Sequence, residues 1–344
     1  MNFDLSDNQS MFRDTVERFC APVDIARRHA IRRMDGGLDR GRWSELAELG
    51  LIALAAPESD GGLGGSLLDC AIVAQALGER LAVEPWLECG FLSARLLAGT
   101  EHGAGVIDGS VLATLAFAES QGRFSLDART VTARGTTLSG EKIFVLSAGV
   151  ADRFIVTASV DGETRLFTLP RDARGLDIRP YPVVDGSVAA VLNFHQVGAE
   201  PLGSVDRLAA AVDDVRLFAA AEMVGLAKRL FDDTLDYVKT REQFGQPLGR
   251  FQVIQHRLVD CYAKLEAIQS ALYRGLLLPG ADAAATKAFV AEGAIWIGEQ
   301  AVQLHGGMGM TDELAVGHAV KRIMLLSKYF GDPASAYAAL AKAA

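Results

Sequence analysis

The 344-residue chain is half apolar, enough to bury a large core, and it exceeds the length a single core usually supports, so two or three subdomains are expected. Its net charge of -9 argues against a nucleic-acid groove, which needs a basic stripe to displace counterions from phosphates. Cys20, Cys70, Cys89 and Cys261 are scattered, with no CxxC pair and no His at ligand spacing, so neither a disulfide framework nor a zinc site is indicated.

The N-terminus, MNFDLSDNQS, is acidic and polar, unlike a signal peptide, and no apolar run approaches the ~18 residues of a membrane span. A soluble, cytoplasmic protein with reduced thiols is expected. Ser6 to Gln9 reads as a capping box, after which Phe12, Val16 and Phe19 mark one helical face. Trp43, Leu46 and Leu49 repeat that pattern. Pro57 to Gly65, PESDGGLGG, is a turn-rich break; no strand precedes a GxGxxG here, so it reads as a loop between helices. Leu67 to Leu97 is again helix-rich, making residues 1–110 an all-helical first domain.

From about Val111 the texture changes to β-branched and aromatic runs: VLATLAF, RTVTA, KIFVL, RFIVTASV, TRLFTLP and AAVLNFHQV. Residues 111–203 therefore read as a small β-domain, with Asp161 to Glu163 a hairpin turn inside it.

Residues 204–344 return to helical patterns. Leu230, Leu235 and Val238 stand near helical spacing. Phe251, Ile254, Leu258, Cys261, Leu265, Ile268 and Leu272 recur at three or four residues, as one buried face does. Between the two patterns, Gly245 and Pro247 are read as ending the first helix and Gly249 as releasing the second. Arg241, Phe244 and Gln252 flank that break. A guanidinium at a helix end beside an aromatic ring suits a pyrophosphate carrying a planar base, because it donates two parallel hydrogen bonds and keeps its charge. An ordinary helical hairpin with one solvated arginine has the same spacing.

Phe289, Gly293, Trp296 and Ile297 form a further apolar face leading to Gln303. Gly306, Gly307 and Gly309 permit positive φ, which suits backbone amides facing an anion and equally suits a helix C-cap. His305 and His318 read as packing or surface residues, since no third ligand stands near.

Two of these stretches carry a family resemblance. TREQFGQPLGRFQVIQH, Thr240 to His256, resembles the signature helix of acyl-CoA dehydrogenases, RxxFGxPixxxQ, and QLHGGMGMTDE, Gln303 to Glu313, resembles that family's second signature. The resemblance implies an α+β, mostly α fold: an N-terminal helical domain, a middle β-barrel domain over the flavin ring and a C-terminal four-helix bundle. It implies FAD as cofactor, an acyl-CoA substrate, an electron-transfer flavoprotein as acceptor and an oligomer. In the implied reaction a carboxylate removes the α-proton while the β-hydride passes to the flavin.

The family places its carboxylate at one of two positions. Counted from Gly306, the C-terminal one falls on Phe330, within Tyr329-Phe330-Gly331; matched on Arg241, the other falls on Val215, before Arg216. Neither residue can take a proton. Asp332 and Asp214 are the nearest carboxylates, but a helix turns ~100° per residue, so a neighbour points elsewhere. The β-domain departs similarly: AESQGRFSLD, Ala118 to Asp127, stands where the family has its flavin loop, and Phe144, Val145 and Leu146 replace a tryptophan-isoleucine-threonine strand, losing a hydroxyl at Leu146.

Arg241, Phe244, Gln252, Gln303, Gly306 and Gly307 match residues that in family tetramers reach a neighbour's FAD. With the loop Ala116 to Leu126, this resembles the short, partner subunits of heteromeric members, such as the small subunits named for pimeloyl-CoA dehydrogenases. The implied partner is a larger sister subunit in an α2β2 complex. Two readings stay open beside it: a self-sufficient homo-oligomer using Asp214 or Asp332, and a catalytically silent scaffold. Fatty, dicarboxylic and sterol side-chain acyl groups are all compatible.

Overall fold

The computed structural model describes residues 4–21, 23–122 and 125–343. At the start, Ser6 Oγ accepts from the Gln9 N–H and Gln9 Oε1 accepts from the Ser6 N–H, closing the capping box of α1 (Asp7–Cys20), which buries Val16 and Phe19. Then come α2 (Ile25–Arg32), α3 (Arg40–Glu48) and α4 (Leu67–Glu79). A π-helix, Trp86–Leu92, buried at every residue, leads into α5 (Ser93–Leu97) and α6 (Gly103–Ile107). All four cysteines are buried and none forms a disulfide. No helix among the described residues is long and apolar enough to cross a membrane.

Eight strands follow: β1 (Ala113–Ala116), β2 (Thr132–Arg134), β3 (Thr137–Leu146), β4 (Arg153–Val160), β5 (Glu163–Pro170), β6 (Leu176–Pro182), β7 (Val188–Gly198) and β8 (Glu200–Ser204). They form one sheet in the order β6-β7-β3-β2-β4-β5-β8, with β1 beside β4. Each expected run contributes a strand. Asp161 and Gly162, at φ +51 and +90, make the tight β4–β5 turn. The two end strands, β6 and β8, escaped the sequence reading because Pro180, Pro182 and Pro201 interrupt their donors, which only an edge tolerates.

The inner face of the sheet is apolar, with Leu138, Val145, Phe154, Phe167 and Leu192 at its centre. One ion pair interrupts it. Lys142 of β3 is fully buried and donates to Glu119 Oε1 at 2.7 Å, Thr157 Oγ1 of β4 at 2.8 Å and the Phe117 carbonyl at 3.0 Å. Glu119 also accepts from the N–H groups of Arg129, Thr130 and Val131 at 2.9, 2.7 and 3.1 Å. Burial opposes charge on Glu119, but Lys142 and the backbone donors outweigh it and hold the carboxyl down to about 2.

The remaining elements are α7 (Asp206–Thr240), the hairpin β9 (Glu242–Gln243) and β10 (Gln246–Pro247), then α8 (Gln252–Leu277), α9 (Ala283–His305), α10 (Ala315–Lys328) and α11 (Pro333–Ala343). On α8, Cys261, Leu265, Ile268 and Leu272 are buried as expected, while Phe251, Ile254 and Leu258 are half-buried. Phe289 departs from the expected face of α9 and is exposed.

Backbone contacts divide the chain into two compact units. One comprises Met1–Arg27, Leu67–Ala82 and Arg216–Ala344; the other comprises Arg28–Ser66 and Val83–Val215 and holds the sheet. Within the first, α4 and α7 approach to backbone contact: a Cβ on Gly78 would overlap the Glu222 carbonyl, and one on Gly225 the Gln75 carbonyl. Beside that crossing, Arg322 of α10 forks onto Glu222, Nε to Oε1 at 2.7 Å and Nη2 to Oε2 at 3.2 Å.

Glu119→Gln leaves the Lys142 ammonium without its counter-charge, a one-sided loss that typically costs about 3–5 kcal/mol. The urea midpoint at pH 7 is expected to fall accordingly. The folded Glu119 carboxyl ionises below its ordinary 4.5, so its contribution is complete above that pH and lost as pH falls towards 2. Urea titrations from pH 7 to pH 2.5 should show wild type and variant converging at the acid end.

Candidate active site

Helix α7 ends at Thr240, ahead of Gly245 and Pro247, which correct the expected boundary by forming part of a separate two-residue-per-strand hairpin. Phe244 and Gly245 occupy its corner at φ +55 and +80, the positive pair that the tightest hairpins need. A phenylalanine in this region is strained by about 1–3 kcal/mol. Its ring is 90% exposed, edge-on to Phe251 at 6.1 Å, so packing within this chain does not offset that strain.

The Arg241 N–H donates to the Tyr237 carbonyl at 2.8 Å, and its own carbonyl accepts from the Leu248 N–H at 2.8 Å. The backbone at Arg241 is thereby fixed while its side chain is exposed. Gln252 opens α8 and is exposed as well.

The second motif ends α9 at His305. The Tyr237 and His305 rings stack at 4.3 Å between centroids with 24° between planes. Tyr237 lies one turn before Arg241 and His305 directly precedes Gly306, so this stack brings the two motif turns together. His305 Nδ1 also meets the Ala301 carbonyl at 2.8 Å, and His318 Nε2 meets the Asp312 carbonyl at 3.0 Å, so both histidines pack as expected. Gly306 takes φ +59, and no heavy atom stands within 4 Å of where a Cβ would lie on Gly306 or Gly307. The backbone there is open to close approach.

Arg241, Phe244, Gln252, Gln303, Gly306 and Gly307 are thus all exposed and belong to one compact unit. An exposed guanidinium, a glycine turn open to close approach and an accessible ring together fit an anion carrying planar ring systems, as a dinucleotide does.

The two expected base positions are filled by buried apolar residues. Val215 on α7 is 0% exposed and Phe330 is 2% exposed. Phe330 sits at φ +56, edge-on to Tyr329 at 4.5 Å between centroids. Its turn is pinned from two sides: Arg216 Nε donates to the Phe330 carbonyl at 3.1 Å, and Lys287 Nζ donates to the carbonyls of Ser327 at 3.1 Å and Gly331 at 2.8 Å. Burial, reinforced by the Arg216 charge, lowers Lys287 to about 7.

The neighbouring carboxylates have structural partners. Asp332 accepts from the Ser335 N–H at 2.8 Å, which caps α11. Asp214 pairs with Arg95 at 3.5 Å, and burial raises its pKa. On the sheet, Phe144 takes φ +52 in a bulge between Lys142 and Val145. Leu146 is buried and offers only its carbonyl, which accepts from Thr114 Oγ1 at 2.8 Å. Arg123 and Phe124 of the flavin-loop stretch lie outside the described residues. Sequence reasoning missed Lys287; a single lysine inside the apolar run AAATKAFVA was the signal for a buried cation.

Known proteins place this arrangement in a class. Residues 6–102 match the family described as Acyl-CoA dehydrogenase, N-terminal domain, and residues 206–344 match Acyl-CoA dehydrogenase, C-terminal domain. The chain belongs to the acyl-CoA dehydrogenase family and is an oxidoreductase of that class, whose cofactor is FAD.

Acyl-CoA dehydrogenase IpdE2 of Mycobacterium tuberculosis is 30% identical over 310 residues, spanning 89% of this chain and 88% of that protein. IpdE2 of Mycolicibacterium smegmatis is 29% identical over 342 residues, spanning 96% of each. Among solved structures, a chain of the Tcur3481-Tcur3483 steroid ACAD has a TM-score of 0.89 at 28% identity, covering 98% of this chain and 97% of that one. Butyryl-CoA dehydrogenase from Megasphaera elsdenii has a TM-score of 0.88 at 25% identity, covering 100% and 99%.

The Lys287 environment makes a pH-dependent prediction. Its folded pKa of about 7 lies below the ordinary 10.5, so between these values the unfolded chain holds a proton that the folded chain has released. Stability therefore rises with pH across that window. Lys287→Met removes this contribution: thermal midpoints measured from pH 7 to pH 10 should rise less steeply in the variant than in wild type, and parallel curves would contradict the assignment.

Proposed function

We propose that this chain takes part in flavin-dependent α,β-dehydrogenation of an acyl-CoA thioester as the smaller member of an α2β2 complex. The observation that carries this reading is the pair of buried apolar residues, Val215 and Phe330, at the two positions where the family's base stands. A chain without its own base and with a full set of exposed dinucleotide contacts is suited to completing another chain's site. In this reading Arg241 forks onto the FAD pyrophosphate, the open Gly306–Gly307 turn lets the same dinucleotide approach closely, and Phe244 covers a ring face. Gln252 and Gln303 add side-chain amides at its edge. The larger sister subunit contributes the base and most of the flavin contacts.

Bound FAD supplies the hydride acceptor. An electron-transfer flavoprotein is the proposed oxidant of the reduced flavin, and the cytoplasm the proposed compartment. The name of the Tcur3481-Tcur3483 steroid ACAD joins two designations and a steroid, which supports a two-chain assembly and makes steroid-derived acyl-CoA thioesters the first substrates to try.

A second reading has one observation in its favour. Burial raises the Asp214 pKa, as a catalytic base requires, and a chain using it would work alone. Assay of the chain purified alone with fatty, dicarboxylic and steroid acyl-CoA thioesters and an artificial electron acceptor separates the two. Loss of a general base typically costs ~10² to 10⁴ in rate, so turnover of the lone chain should be negligible even with FAD added. Robust turnover would sink the partner-subunit reading, and its disappearance in Asp214→Asn or Asp332→Asn would establish the second.

A further inference from the structure

The compact unit that carries the signature turns also holds a half-open cavity of about 410 Å³, bounded by α1, α4, α7 and α8. Its size is that of small-molecule sites. The walls are mostly hydrocarbon, from Leu68 and Ile72 of α4, Phe231 of α7, and Leu265 and Leu276 of α8. One amide pair interrupts them: Gln75 Nε2 donates to Gln269 Oε1 at 2.8 Å. Gln269 Nε2 is itself buried and has no hydrogen-bond partner among the described residues. A buried donor left unsatisfied costs about 1–3 kcal/mol, which a ligand oxygen would recover.

The cations at the rim are already paired, with carboxylates in excess. Lys228 is held by Glu79 and Asp232, each at 2.8 Å, and Arg13 faces Asp14 at 3.5 Å. Glu266 adds a carboxylate to the lining. Among the described lining residues no unneutralised cation is offered to a carboxylate or phosphate, which sets this cavity apart from a site for a CoA thioester.

We propose that this cavity binds an uncharged, oxygen-bearing apolar molecule, with its hydrocarbon body on the helix walls and its oxygen accepting from Gln269 Nε2. Gln269 is half-exposed, so a rotamer change can turn its amide towards the cavity. The ligand joins α4 to the α7–α8 pair that leads to the Arg241 hairpin. Occupancy would stiffen that support without touching the dinucleotide contacts.

Calorimetric titration of the full chain with 1-octanol and with octanoate tests this, because the probes share a chain length and differ in head charge. The expected result is saturable 1:1 binding of 1-octanol, with octanoate at least about tenfold weaker. Ile72→Trp, which fills the cavity from a half-buried position, should abolish octanol binding, and Gln269→Leu should weaken it about five- to tenfold, the worth of one hydrogen bond. Should Ile72→Trp fail to fold, Gln269→Leu decides alone. Unsaturable octanol uptake, equal affinity for octanoate, or undiminished binding by Gln269→Leu overturns the proposal.

Discussion

The buried pair of Lys142 and Glu119 is the constraint on which the sheet depends. A lone charge in that apolar interior would be prohibitive, and the pair is tolerable only because both partners are saturated. Lys142 gives its three donors to Glu119, Thr157 and the Phe117 carbonyl, while Glu119 gathers three successive backbone N–H groups from Arg129 to Val131. One ion pair thus fixes the chain after β1, the entry to β2, the middle of β3 and the face of β4. The bulge that holds Phe144 and the strand end that holds Leu146 directly follow Lys142 in the chain, so this end of β3 is anchored by the pair.

The helical unit shows the opposite allocation of polarity. Its strained or open residues face outward, with Phe244 exposed at positive φ and Gly306 and Gly307 open to approach. Its inward-facing turn at Phe330 is apolar and doubly pinned by Arg216 and Lys287. Strain that persists at an exposed position needs a purpose outside the chain's own packing. Phe330, at an expected base position, holds a positive φ in this pinned turn and has no proton-accepting side chain. The Tyr237–His305 stack holds two motifs about sixty residues apart next to each other, since each ring abuts one motif turn.

Much of this was legible in the sequence because it rests on local rules. The Ser6–Gln9 box, the Asp161-Gly162 turn and the buried stripe through Cys261 and Leu272 each follow from spacing and turn chemistry. The motif residues Arg241 and Gly306 were visible from family resemblance. What escaped were features set by tertiary contacts. The end strands β6 and β8 hide behind prolines, and the π-helix at Trp86–Leu92 has no periodicity of its own. Helix α7 stops at Thr240 because a hairpin forms beyond it, which the later Gly245 and Pro247 do not reveal. Lys287 reads as one polar residue in an apolar run until its two carbonyl acceptors are seen.

In the proposed complex, Arg241 serves a flavin held mainly by another chain. The direct measurement is to co-express this chain with a larger acyl-CoA dehydrogenase chain as the candidate partner, purify the complex, and count FAD per pair of chains for wild type and for Arg241→Lys. Lysine keeps the charge but loses the planar fork. One FAD per heterodimer, a reduced flavin content in the variant and an unchanged thermal midpoint for the isolated chain are expected. One FAD per chain in a lone homo-oligomer, or no flavin in either preparation, would contradict it, as would an Arg241→Lys chain that unfolds alone yet leaves the flavin of the complex intact.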